Sequence, residues 1–270
     1  MENSEMAESG RSPLTVALSS ASVYPLSVHD AFAVAQDLGY DGVEVMVTNN
    51  PISQDPRALR QLSERYGQEI VSIHAPTLLL TQQVWGKAWN KIEQSCLMAR
   101  EVGCDVVVVH PPFRWQNGYA EEFFDGVLEA QERHGVKIAV ENMYPWRVRG
   151  REILMYLPHW NPLGFGYQHV TWDFSHSATA GMDSLDAMRE LGSALRHVHL
   201  TDGTGAGSKD EHLMPGEGNQ RCAEALQYLA ASDFDGVVVA EISTRKAKVA
   251  GEREEMLAQT LAFARRHLAR

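Results

Sequence analysis

Eight short β-rich runs, at residues 14–20, 42–47, 70–76, 105–111, 136–142, 169–174, 196–202 and 236–242, follow one another along the chain, with helix-patterned segments between them. Helical periodicity marks 27–38, 56–66, 87–102, 120–134, 184–191, 220–230 and 252–267, several opening on Ser or Pro and closing near Gly. The strand-to-strand spacing of roughly 25 to 40 residues suits a parallel βα unit, because a parallel partner is reached only through a crossover. Eight such units predict a closed (β/α)8 TIM barrel, a single domain over residues 13–270, preceded by a disordered polar tail over 1–12. An open doubly wound sheet is the alternative, and it gives no reason for ligand-type residues at the ends of so many strands. The segment 144–167, rich in Pro, Trp and Arg, is too long for a simple connection and is expected to form an elaborated loop over the active face.

In a barrel of this kind the chemistry sits at the carboxyl ends of the strands, so the residue finishing each strand is the informative one. The sharpest stretch is Thr171-Trp-Asp-Phe-Ser-His-Ser-Ala-Thr-Ala-Gly181, where Asp173 and His176 stand three residues apart as a strand gives way to a loop. An Asp at a strand end is more often a cap or turn former, so this motif gains weight only from its company. The third strand ends in His74, the fourth in His110, the fifth in Glu141, the seventh in His199 and Asp202, and the eighth in Glu241. Glu141 shares a strand face with the small Ala139, which points it inward while Ile138 and Val140 face the helices. After the seventh strand, Asp210 and His212 follow a glycine-rich loop. Convergent His, Asp and Glu without Cys make a borderline-to-hard donor set, suited to Zn²⁺, Mn²⁺, Mg²⁺ or Co²⁺.

From residue 14 onward the chain resembles the xylose-isomerase-like TIM-barrel superfamily, most specifically in the 172–181 stretch, in His197-Val-His-Leu-Thr-Asp202 and in the Pro215-Gly-Glu-Gly218 turn. That superfamily holds sugar and sugar-phosphate isomerases and epimerases together with the endonuclease IV family of apurinic-site nucleases. For the isomerase and epimerase branch the resemblance implies one divalent metal on Glu141, Asp173, His199 and Glu241, with Glu141 and Glu241 as the catalytic acid/base pair. For the nuclease branch it implies three zincs, with His74, His110, His176, Asp210 and His212 as additional ligands. Nucleases of that type carry a His on the first strand and an aromatic three residues after the third-strand His, whereas this chain has Leu18-Ser-Ser20 and Thr77. Epimerases of free ketoses carry a second Glu shortly after the fifth-strand Glu, and here Arg147 lies in that region. The isomerase or epimerase reading therefore ranks first, a zinc-dependent apurinic-site endonuclease second, and a metal-dependent lyase or non-catalytic ligand-binding barrel third.

On the favoured reading, His176 and Asp202 orient substrate hydroxyls, Arg147 holds a phosphate or carboxylate, and Trp115, Trp85 or Trp146 walls a sugar ring. Plainer readings stand beside several of these. Asp202 also fits a loop cap, the 147–151 arginines an exposed loop face, His197 a packed barrel-layer histidine, and Glu44 a buried hydrogen-bonded partner.

Charge and composition set the remaining expectations. A net charge of −11 ranks nucleic acid below a small sugar or sugar phosphate as partner, and leaves a second copy of the chain, as a homo-oligomer, open. With three cysteines and no close pair, no disulfide framework is expected, and with no apolar run of spanning length no membrane contact is expected; both suit a cytoplasmic protein.

Overall fold

The computed structural model describes residues 12–77, 81, 83–207 and 209–270; the tail expected over 1–12 lies, Ser12 aside, outside them. All eight expected runs are strands. In chain order these are β1 (Thr15–Ser19), β2 (Gly42–Met46), β3 (Glu69–His74), β4 (Val106–Val109), β5 (Lys137–Glu141), the hairpin strands β6 (Trp146–Val148) and β7 (Arg151–Ile153), β8 (Val170–Asp173), β9 (Leu195–Leu200) and β10 (Val237–Ala240). Apart from the hairpin they pair in parallel and close into one barrel, with β10 against β1. The order is the sequential one of a (β/α)8 fold. The expected elaboration between 144 and 167 contains the antiparallel β6–β7 hairpin.

Outside the barrel lie α1 (Val28–Leu38), α2 (Pro56–Tyr66), α3 (Ala88–Val102), α4 (Asn117–Glu121), α5 (Phe123–His134), α6 (Phe174–Ala180), α7 (Ser184–Leu191), α8 (Cys222–Ala231) and α9 (Glu252–His267). Their limits follow local chemistry. Asp30 accepts the Ser27 backbone N–H at 2.8 Å to open α1, and Asp55 accepts the N–H groups of Arg57 and Ala58 to open α2. The reading of 174–181 as a loop is corrected: it forms α6, opened by Asp173 Oδ1 accepting the His176 N–H at 2.7 Å and closed by Gly181 at φ 74°. The helix is short and buried on nearly every side, so it carries none of the one-sided periodicity that marks a surface helix.

Strand alternation builds the core in two shells. Val106, Val108 and Ala139 form one small cluster and Ala17, Val237 and Val239 another, filling the barrel interior. The residues between them, including Val107, Val109, Ile138 and Val140, join the large shell shared with the helices, as the pairing of Ala139 with Glu141 on one face predicts. Trp172 is fully buried in that outer shell and donates its indole N–H to Ser184 Oγ at 3.0 Å. All three cysteines are free and buried, and among the described residues no helix is long and apolar enough to cross a membrane.

Candidate metal centre

The strand ends deliver the chemistry. Glu141 from β5, Asp173 from β8, His199 from β9 and Glu241 just beyond β10 each place one ligand-type atom within 4.8 Å of the others, and all four are buried. His199 Nδ1 is 3.0 Å from Glu141 Oε1, 3.0 Å from Glu241 Oε2 and 3.7 Å from Asp173 Oδ2. Asp173 spends its Oδ1 on capping α6, while its buried Oδ2 accepts no hydrogen bond from any described residue. An orphaned buried carboxylate oxygen among two further carboxylates and one imidazole is costly unless a cation joins it. Three hard oxygen donors and one nitrogen fit a divalent ion of the Mn²⁺, Mg²⁺, Zn²⁺ or Co²⁺ class.

Two further groups flank this one. His74 Nε2 and His110 Nε2 stand 3.3 Å and 2.9 Å from Glu141 Oε2. On the other side His176 Nε2 lies 3.2 Å and His212 Nε2 2.8 Å from Asp210 Oδ2, and Asp173, His176 and His212 form another cluster of metal-ligand spacing. The structure thus brings all nine candidate ligands to the mouth of the barrel. Ser175, at the buried face of α6, holds the outer pair in place: it donates to Asp210 Oδ1 and accepts the backbone N–H groups of Glu211 at 3.1 Å and His212 at 3.0 Å. Ser175 carried no sequence signal, because its partners are 35 residues or more away.

Electrostatics sort these groups. Burial works against the charge of Glu141, but the His199 and His110 imidazoles outweigh it and hold the carboxyl well below its usual range. His199 is likewise raised well above an ordinary histidine despite its burial, chiefly by Glu241, Glu44 and Glu141. Burial pushes Asp173 up to about 6, only partly offset by His176 and His212. His212 is carried up to about 10 because Asp210 outweighs its burial. Asp173 is the member whose charge is least compensated, and its Oδ2 is one of the buried oxygens without a hydrogen-bond partner.

Above the cluster a cavity of about 650 Å³ opens, its floor including His74, His110, Glu141, His176 and Glu241. Phe113, Tyr144, Trp146 and Tyr156 line it, three of them from the 144–167 segment, and so do Lys209, Arg245 and Lys246 together with Asp210, Glu211 and Glu217. The remaining expected substrate residues lie elsewhere. Asp202 is fully buried beneath a loop, its Oδ1 accepting the N–H groups of Gly203 and Gln220 and its Oδ2 those of Gly216 and Gly218. Four backbone donors leave no lone pair for a ligand, so this geometry is that of a loop clamp. Arg147 donates to the Thr179 carbonyl at 2.9 Å and pairs with Glu152, outside the cavity lining. Trp115 is 47% exposed and stacks on the far side of Phe113, at 4.6 Å between ring centroids, with Phe113 itself reaching the cavity.

Comparison with known proteins places this geometry in context. Residues 32–267 match the family model described as xylose isomerase-like TIM barrel. An uncharacterized protein of Mycobacterium tuberculosis (strain ATCC 25618 / H37Rv) is 47% identical, over 96% of this chain and 100% of its own length. Fructoselysine 3-epimerase of Escherichia coli O157:H7 is 23% identical, over 81% of this chain and 86% of that protein. Among solved structures, a D-tagatose 3-epimerase-like protein superposes with a TM-score of 0.66 at 25% identity, over 95% of this chain and 100% of the other.

Proposed function

Since the chain belongs to the xylose isomerase-like TIM barrel family, we propose that it is a metal-dependent isomerase or epimerase that moves a proton on a sugar or sugar phosphate. The observation that carries this reading is that Glu141 and Glu241, two of the three carboxylates around His199 Nδ1, also line the cavity. Similarity to fructoselysine 3-epimerase and to the D-tagatose 3-epimerase-like structure supports the same reaction class. Glu141, Asp173, His199 and Glu241 would hold the ion, whose chemistry is to polarise a carbonyl and its neighbouring hydroxyl.

The protein's own groups then perform the proton work. One glutamate removes the proton from the carbon between carbonyl and hydroxyl, and the other returns one. Return to the neighbouring carbon isomerises the sugar; return to the opposite face epimerises it. His176, with Nδ1–H donated to the Asn142 carbonyl at 2.8 Å, is held over the floor where a substrate hydroxyl would lie. Phe113, Tyr144, Trp146 and Tyr156 supply the apolar wall for a ring and help exclude water. Lys209, Arg245 and Lys246 line the same cavity among Asp210, Glu211 and Glu217, and are the cationic groups that an anionic substituent on the sugar would meet.

The test is solvent deuterium uptake into ketose phosphates by protein reconstituted with Mn²⁺, read by proton NMR. Exchange at one carbon, lost in Glu141→Gln and Glu241→Gln, is the expected outcome. A second reading rests on a separate observation, the two flanking clusters around Glu141 and Asp210, which suit additional metals and a hydrolytic reaction. About three zincs per chain together with cleavage of abasic duplex, and no carbon-bound exchange, would replace the first reading with that one.

A further inference from the structure

The histidines at the barrel mouth do not all present the same nitrogen. His74, His176 and His212 each direct Nδ1 at a backbone carbonyl, that of Ala75 at 3.1 Å, Asn142 at 2.8 Å and Glu241 at 2.8 Å. With one proton donated there, it is Nε2 that each turns toward Glu141 or Asp210, the nitrogen that would be left to bind an ion. His199 is reversed. Its Nδ1 faces Glu141 and Glu241, while Nε2 lies 3.0 Å from Oε1 of Glu44, on β2 and deeper in the barrel.

A carboxylate can only accept, so without an ion both His199 nitrogens carry protons, Nδ1 toward Glu141 and Nε2 toward Glu44. Were a cation to take the place of the Nδ1 proton, the bond to Glu44 would keep the other on Nε2 and leave the Nδ1 lone pair to the ion. Glu44 is itself fixed. Its Oε2 accepts from Ser72 Oγ at 2.8 Å and stands 2.9 Å from His197 Nε2, and a register shift between Val43 and Glu44 sets it opposite Ser72 on β3. Glu44, Ser72, His197 and His199 are all fully buried, so no solvent competes for these bonds. A separate ion between Glu44, His197 and His199 would meet a single carboxylate, already shared between two imidazoles and the Ser72 hydroxyl, whereas the group above offers three carboxylates.

We propose that Glu44 is a positioning residue: it keeps the His199 proton on Nε2 and so delivers Nδ1 to the ion faced by Glu141, Asp173 and Glu241. The inference rests on the metal reading of the site. A backbone carbonyl would fix the ring as well, but a carboxylate also makes the imidazole a better donor, and partners of this kind are typically worth 10–100-fold in metal affinity. Unlike the carbonyls behind the other three histidines, Glu44 can be changed.

The experiment measures Mn²⁺ affinity by titration against the free-ion paramagnetic resonance signal, in wild type and Glu44→Gln, alongside the unfolding midpoint of each chelated protein. Binding weaker by about 10–100-fold in a variant that still folds is expected. Long-range proton–nitrogen spectra of the Zn²⁺-loaded wild type should show His199 protonated on Nε2. Equal affinity in the two folded proteins, a lowered midpoint with unchanged affinity, or protonation of His199 on Nδ1 would each overturn the role. If Glu44→Gln does not fold, Ser72→Ala, which only loosens Glu44, carries the test: a several-fold loss of affinity supports the role and unchanged affinity overturns it. A wild type that binds no divalent ion sinks the metal reading itself, a result distinct from failure of the Glu44 role alone.

Discussion

Two histidine–carboxylate clusters lie one above the other in this barrel and share His199. The lower one, Glu44 with His197 and His199, sets a single carboxylate against two imidazoles, with Ser72 completing the bonds. The upper one sets Glu141, Asp173 and Glu241 around one imidazole nitrogen and leaves Asp173 Oδ2 without a partner. Both are buried, so burial alone does not separate a structural cluster from a ligand site. What separates them is closure: the lower cluster satisfies its carboxylate internally, while the upper one gathers three carboxylates on one imidazole nitrogen and leaves a carboxylate oxygen that an added cation would satisfy.

The comparison can be broken most severely in the upper cluster. Glu241→Gln removes half of the proposed acid/base pair, and solvent deuterium exchange into product should fall by about 10²–10⁴-fold. Chelation should act next. At an ion concentration of about 100 times Kd the bound ion adds about 2.7 kcal/mol, so stripping it should lower the midpoint by about 5–10 °C, read by differential scanning calorimetry with and without chelator.

In the lower cluster the expected order reverses. His197→Gln should cost about 1–3 kcal/mol of stability through the disturbed buried bonds, while Mn²⁺ affinity stays close to wild type because Glu44 still holds His199. The pH dependence of the chelated protein sharpens the contrast further. His212 is raised by Asp210 to about 10, so its contribution is fully present below its ordinary value of 6.5 and is lost as the pH climbs from there toward 10. The midpoint of chelated wild type should fall over that window, and His212→Asn should flatten the fall. Smallest of all, Arg147→Ala removes a largely surface ion pair with Glu152 and should change stability by under about 1 kcal/mol and leave substrate turnover nearly intact; a large loss of turnover would return Arg147 to the site.

Particular residues show how much of this was legible beforehand. Glu141 could be aimed inward because Ala139 precedes it by two on a strand, and alternation is a local property. The eight strand ends were readable for the same reason. Asp202 was harder: its own surroundings fit a ligand contact and a loop clamp equally well, and its acceptor bonds go to Gly216, Gly218 and Gln220, well along the chain. Arg147 and Trp115 sit near the expected segments, yet the hairpin turns Arg147 toward Thr179 and Glu152 while Phe113 takes the place nearest the cavity.

The sequence by itself determined the repeat of strand and helix, the barrel that follows from eight repeats, and the identity of the ligand-type residues at the strand ends, because each depends on neighbours a few positions away. Only the tertiary structure decided which of those residues share a cavity, which nitrogen each histidine presents, and that Glu44 stands behind His199 across 155 positions of chain. Those are matters of register and closure around the whole barrel, and they exist only once the last strand has paired with the first.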